Sequence, residues 1–103
     1  MKKIKIGIAI TRRDMFPPPE KAKGNIIRIH EQVREIAKDY PEVEFLFADS
    51  VVEDGVMVEL EEEAKVEKLF RDAEIDGLFI PHANFGQEET AAILAYNLKV
   101  PVL

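Results

Sequence analysis

The chain has no cysteine and no tryptophan, and only two histidines among its 103 residues. The missing thiols exclude disulfide staples, thiolate metal ligands and cysteine nucleophiles, and they suit a cytoplasmic protein. His30 and His82 stand 52 positions apart, with no third ligand spaced beside either, so the sequence gives no metal site. Glycine is also sparse, at five residues, and none builds a phosphate-cradling loop. The first apolar run leads into Thr11-Arg12-Arg13 where a dinucleotide-binding unit would place a glycine turn. A Walker loop and a Gly-x-Ser-x-Gly elbow are absent as well. Basic residues number 14 against 20 acids, a net charge of −6, which excludes the broad basic face that nucleic acid requires. A local arginine pair can still hold a small anion. No apolar run reaches membrane length. The stretch Ile4 to Ile10 is short, contains Lys5 and reads as a strand, not as the apolar core of a secretion signal.

What is present is an alternation of strand and helix patterns. Ile4, Ile6, Ile8 and Ile10 alternate with Lys5, Gly7 and Ala9, a first strand whose small residues admit a closely packed helix. Residues 12–23 are polar and contain Pro17-Pro18-Pro19, which favours an extended loop. A helix follows from Lys21 or Asn25 to Asp39, with Ile26, Ile29, Val33, Ile36, Ala37 and Tyr40 on one face and Pro41 as its stop. Val43 to Ala48 is the second strand. Asp49 to Val58 reads either as a hairpin around Asp54-Gly55 or, preferably, as a loop feeding the next helix. That helix covers Val58 to Ala73, with Val66, Leu69, Phe70 and Ala73 inward and acids ahead of bases, as the helix dipole favours. Leu78 to Ile80 is the third strand, Gln87 to Leu98 the third helix, and Val100 to Leu103 a fourth strand.

These elements predict one α/β domain over residues 1–103: a Rossmann-like three-layer sandwich on a parallel sheet of four strands in order 2-1-3-4. A parallel sheet needs both faces covered, and no closing helix follows Val100-Pro101-Val102-Leu103. The expectation is therefore a truncated architecture, the opening lobe of a longer enzyme. The alternative is a small complete domain whose last strand sits at a protected edge.

Ligands of open parallel sheets bind beyond the carboxyl ends of the strands, where strand order reverses. Here that point lies between the first and third strands, so Thr11-Arg12-Arg13-Asp14 and Pro81-His82-Ala83-Asn84-Phe85-Gly86 converge. Arg12 and Arg13 can clamp hydroxyls or an anion, His82 and Asn84 can exchange hydrogen bonds, and Phe85 can cover the apolar face of a sugar ring. Each has a plainer reading. The arginines can be solvated loop charges, His82-Ala83-Asn84 a helix cap, and Phe85 a buried staple. His30 reads as a solvated or partly buried structural residue, and Glu59 to Glu63 as a solvated helix start. Asp49, Glu53 and Asp54 follow the second strand and can shape the same cleft.

The stretches Val51-Val52-Glu53-Asp54-Gly55-Val56-Met57-Val58 and Asp76-Gly77-Leu78-Phe79-Ile80-Pro81-His82-Ala83-Asn84-Phe85-Gly86 resemble the amino-terminal region of L-fucose isomerase-like and L-arabinose isomerase-like proteins. Lys5-Ile6-Gly7-Ile8 and Lys99-Val100-Pro101-Val102-Leu103 fit the same resemblance. It implies a part of a metal-dependent aldose–ketose isomerase that acts on an L-sugar, with manganese as the metal and an enediol route between aldose and ketose. It places metal ligands and catalytic carboxylates in later lobes, so none is assigned to this chain. This lobe would contribute substrate-binding and oligomer-forming surface, with Arg12, Arg13, His82, Asn84 and Phe85 facing sugar. The implied partners are a small sugar, the remaining lobes and further copies of the protein; neither nucleic acid nor membrane is expected. A non-catalytic sugar-binding or regulatory domain is the alternative.

Overall fold

The computed structural model describes residues 3–11, 19–57, 60–81 and 88–102. In chain order the elements are β1 (Ile4–Ile8), β2 (Ile10–Thr11), α1 (Pro19–Ala37), β3 (Val43–Phe47), β4 (Val56–Met57), α2 (Leu60–Ala73), β5 (Gly77–Phe79) and α3 (Glu88–Leu98). The main sheet is parallel and three-stranded, in the order β3-β1-β5. The expected fourth strand is reduced to a single parallel bridge between Leu78 and Val102, beside a 2.8 Å bond from the Leu78 amide to the Pro101 carbonyl.

The first strand pattern is real but changes partner midway. Ile4 to Ile8 pair with Val43 to Phe47, and past Ile8 that neighbour turns away. The chain from Ala48 to Gly55 then loops back so that Val56 and Met57 lie parallel to Ile10 and Thr11. Asp54-Gly55 is therefore not a hairpin turn, and the segment read as a loop carries a short strand. On the other flank the pairing with β5 runs on, through Ala9 N–H to Phe79 O at 2.9 Å and Thr11 N–H to Pro81 O at 3.0 Å.

Alternation along β1 and β2 divides the core between the two faces of the sheet. Ile8 and Ile10 pack with Ile26 and Val33 of α1 and with Val56, flanked by Phe45 and Phe47. Ala9 and Leu78 pack with Val66 and Phe70 of α2 and Leu94 of α3. Burying each large apolar side chain here contributes roughly 2 kcal/mol. At Gly7 the helix comes down on the strand: a methyl group there would lie 2.9 Å from two ring carbons of Phe70, which is wholly buried.

Helix α1 begins at Pro19, ahead of the expected start; a missing amide costs nothing in a first helical turn. Its end tightens through bonds from Lys38, Asp39 and Tyr40 to carbonyls three residues back, before Pro41. Tyr40 lies past the helix end at Ala37 and Ile36 sits in the last helical turn; both miss the core and stand about half exposed. Helix α2 ends in a left-handed residue that is not glycine: Glu74 has φ 55°, and Ile75 N–H reaches back to Phe70 O at 3.4 Å. Lys99 ends α3 in the same conformation. At the amino edge of the sheet, Asp76 and Lys5 exchange two bonds of 2.7 and 2.9 Å, while Lys5 Nζ donates to Ala73 O at 3.0 Å.

Helices α2 and α3 are also joined by a polar cluster. Glu67 accepts a 2.8 Å bond from Asn97 Nδ2 and pairs with Arg71 at 2.8 Å, and Arg71 donates to the Asn97 carbonyl. Glu63, one turn earlier, was expected to be solvated but is only 5% exposed, because it lies on the same stripe as Val66 and Phe70. Its Oε1 has no hydrogen-bond partner among the described residues. Burial, then the hydrogen bond and charge of Glu67, push the Glu63 carboxyl up to about 7, while Arg71 opposes them. Glu67 moves the other way: burial raises it, but bonds from Asn97, Glu63 and Arg71 outweigh that and hold it low.

Two outcomes follow from this packing. Gly7→Ala should lower stability by about 1–3 kcal/mol in chemical denaturation, because the Phe70 ring has no room to yield; an unchanged midpoint would contradict the close approach. Glu63 contributes stability in full below its ordinary value of 4.5 and loses it as pH rises towards about 7. Glu63→Gln, which copies the protonated acid, should therefore gain about 3 kcal/mol over wild type at pH 8 and almost nothing at pH 4.5. Denaturation curves that shift equally at both pH values would refute the assignment.

Candidate functional site

The carboxyl ends of β1 and β5 are where parallel α/β topology presents ligand groups, and β1 is the central strand with neighbours on both sides. The bond from Thr11 N–H to Pro81 O matters most here. Thr11 is the last described residue before 12–18, and Pro81 the last before 82–87, so both segments depart from hydrogen-bonded neighbours at one end of the sheet. Thr11 is itself fully buried, so that stem is fixed in the core. Arg12, Arg13, His82, Asn84 and Phe85, together with Asp14, lie outside the described residues. The structure brings together the stems that carry them.

A third segment reaches the same edge. After β3, the amides of Val51 and Val52 both bond to the Ala48 carbonyl, and a single 3₁₀ turn over Glu53–Gly55 delivers β4 to β2. This turn needs left-handed backbone at two successive residues, Asp54 (φ 57°) and Gly55 (φ 71°). Aspartate tolerates that region better than most side chains. Gly55 has a second constraint, since a methyl group there would lie 2.6 Å from Asp49 Oδ1. Thus Asp49, Glu53 and Asp54, read as possible walls of the cleft, belong to a turn that runs directly into the strand paired with Ile10 and Thr11.

His30 holds this turn from below. It is buried on α1, its ring stacked on Phe47 at 4.4 Å between centroids and 12° between planes. Nε2 lies 3.0 Å from the Asp54 carbonyl. A carbonyl only accepts, so Nε2 carries the proton and donates. Asp49 Oδ1 lies 4.0 Å from the same nitrogen. Beside the ring is an open cavity of about 220 Å³, lined by Ile26, Ile27, His30, Arg34, Asp49 and Asp54. Sequence reading placed His30 in the structural class but could not supply its partner, which is a backbone carbonyl 24 residues away. The one local signal was Asp54-Gly55, a pair that favours left-handed backbone in any turn type.

Among the described residues, no group of three or more histidine, aspartate or glutamate side chains is placed to hold a metal ion. No described helix is long and apolar enough to cross a membrane.

No curated protein and no solved structure matches the chain. Residues 7–103 match the family described as the N-terminal domain of fucose/sulfoquinovose isomerase. That match begins inside β1 and takes in all three stems gathered at the carboxyl edge. The chain belongs to the fucose/sulfoquinovose isomerase N-terminal domain family.

Proposed function

We propose that this domain supplies substrate-binding and oligomer-forming surface to a cytoplasmic, metal-dependent aldose–ketose isomerase acting on an L-sugar of the fucose or arabinose type. The observation that carries the reading is the 3.0 Å bond from Thr11 to Pro81, in a chain whose family is that of a sugar isomerase. It makes Thr11 and Pro81, the stems of the arginine-bearing and histidine-bearing segments, neighbours at the sheet edge where ligands of such folds bind. Arg12 and Arg13 would hold sugar oxygens, His82 and Asn84 would orient the open chain by hydrogen bonds, and Phe85 would cover its apolar face. The reading includes the fuller architecture, a Rossmann-like sheet in the order 2-1-3-4, supported by the parallel bridge at Val102.

The described residues do not fit the manganese ion of such a reaction. In this proposal the family resemblance assigns metal ligands and proton-transferring carboxylates to other lobes, and this domain's share is binding and orientation. Exposed Ile4, Ile36, Tyr40 and Tyr96 supply apolar surface of the kind that subunit contacts use.

In the full-length protein, Arg12→Ala and His82→Ala should each raise the KM for L-fucose or L-arabinose about tenfold, the worth of one lost charged or buried hydrogen bond. Unchanged KM in both variants would overturn the assignment of this edge to the sugar. Comparing neutral L-fucose with sulfoquinovose tells whether the arginines prefer hydroxyls or a sulfonate. The 103-residue chain alone, assayed with manganese and sugar, is expected to show no turnover, and appreciable turnover would refute the division of labour.

A further inference from the structure

We propose that His30 is a positioning residue for the carboxyl edge: its ring ties α1 to the Asp54 carbonyl and so fixes the turn that seats Val56–Met57 against Ile10–Thr11. The functional part of this inference rests on the sugar-site reading above. The mechanical part rests on contacts alone.

The chain of contacts is short. The His30 ring is clamped by its stack on Phe47, the last residue of β3, so its position is set by the sheet. From there Nε2 donates 3.0 Å to the carbonyl of Asp54, a residue held in left-handed backbone. Asp54 and Gly55, both at positive φ, turn the chain so that Val56 meets Ile10. Left-handed aspartate costs free energy that a local sequence would shed. The part-buried histidine bond offsets that cost, and Asp49 fills the space beside Gly55. The output is Thr11, packed between Met57 on one flank and the Pro81 carbonyl on the other. Among the described residues, His30 contacts Phe47, Asp54 and Asp49. It acts through the turn.

The test uses the full-length protein and two changes at His30. His30→Phe keeps a flat ring against Phe47 and removes the donor; His30→Gln restores a donating nitrogen at similar reach. In hydrogen exchange, His30→Phe should speed the amides of Gly55, Met57 and Thr11 about tenfold, with α2 amides unchanged, and His30→Gln should return them towards wild type. The same variants should show a KM for sugar raised about fivefold in Phe and recovered in Gln, with kcat held within about twofold. Gly55→Ala, which strains the turn without touching α1, should reproduce the exchange pattern and covers the case in which His30→Phe fails to fold. Unchanged exchange at Gly55 and Thr11 in both His30→Phe and Gly55→Ala would overturn the inference while leaving the sugar reading intact. Loosened amides with an unaltered KM would overturn the positioning role. Loosened amides in a protein whose wild type takes no sugar would support the tie and overturn the sugar reading instead.

Discussion

The parallel ladder along β1, prolonged past its carboxyl end, is the constraint on which the rest of the domain depends. Had the pairing stopped at Ile8, the chain beyond it would be an untethered loop. Instead Ala9 and Thr11 keep donating to the β5 flank as far as Pro81, and Val56–Met57 replaces β3 on the opposite side. Three separate stretches of sequence are thereby held at one edge by backbone bonds, whose geometry does not depend on side-chain identity. Specific chemistry can vary around such a frame because the frame is not made of it.

Packing behind the ladder is uneven, and the unevenness is informative. On the α2 side, Gly7 and Ala9 let Phe70 come down against the backbone, a tight contact with no slack. On the α1 side, larger isoleucines meet a helix that carries a polar anchor, His30, in the middle of its buried stripe. A buried polar side chain costs stability unless it is bonded, and the bond found here goes to a loop carbonyl, not to another helix. The first helix therefore holds the sheet by apolar contact and the turn by a directed one.

Much of this was legible in the residues themselves. The isoleucine alternation gave β1, the small residues within it gave the face that receives α2, and the helical stripe Val66-Leu69-Phe70-Ala73 packs as its spacing implies. The order of the segments, more than any one of them, pointed to the isomerase family. The misses share a cause: residue type was allowed to speak for position. Tyr40 continues the α1 period in letters, but the helix ends at Ala37 and the period ends with it, while Ile36, in the last turn, stays half exposed. Glu63 looked solvated within an acidic run, yet it sits three residues before Val66 on the buried face. The short strand β4 has only two residues and pairs at long range, so no local pattern could announce it. The convergence of the two stems at Thr11 and Pro81 was readable in the strand order; the third stretch and the histidine beneath it depend on long-range contacts that no local pattern carries.

Glu74 and Lys99 close α2 and α3 in a backbone region where glycine would rest without cost. Each departure carries roughly 1 kcal/mol of unrelieved local strain. Both joints face away from the carboxyl edge, at the opposite pole of the sheet. The domain therefore holds a margin of untapped robustness far from its chemistry. A lineage, or an engineer, could draw on it to accommodate harmful changes at the carboxyl edge without altering that edge directly.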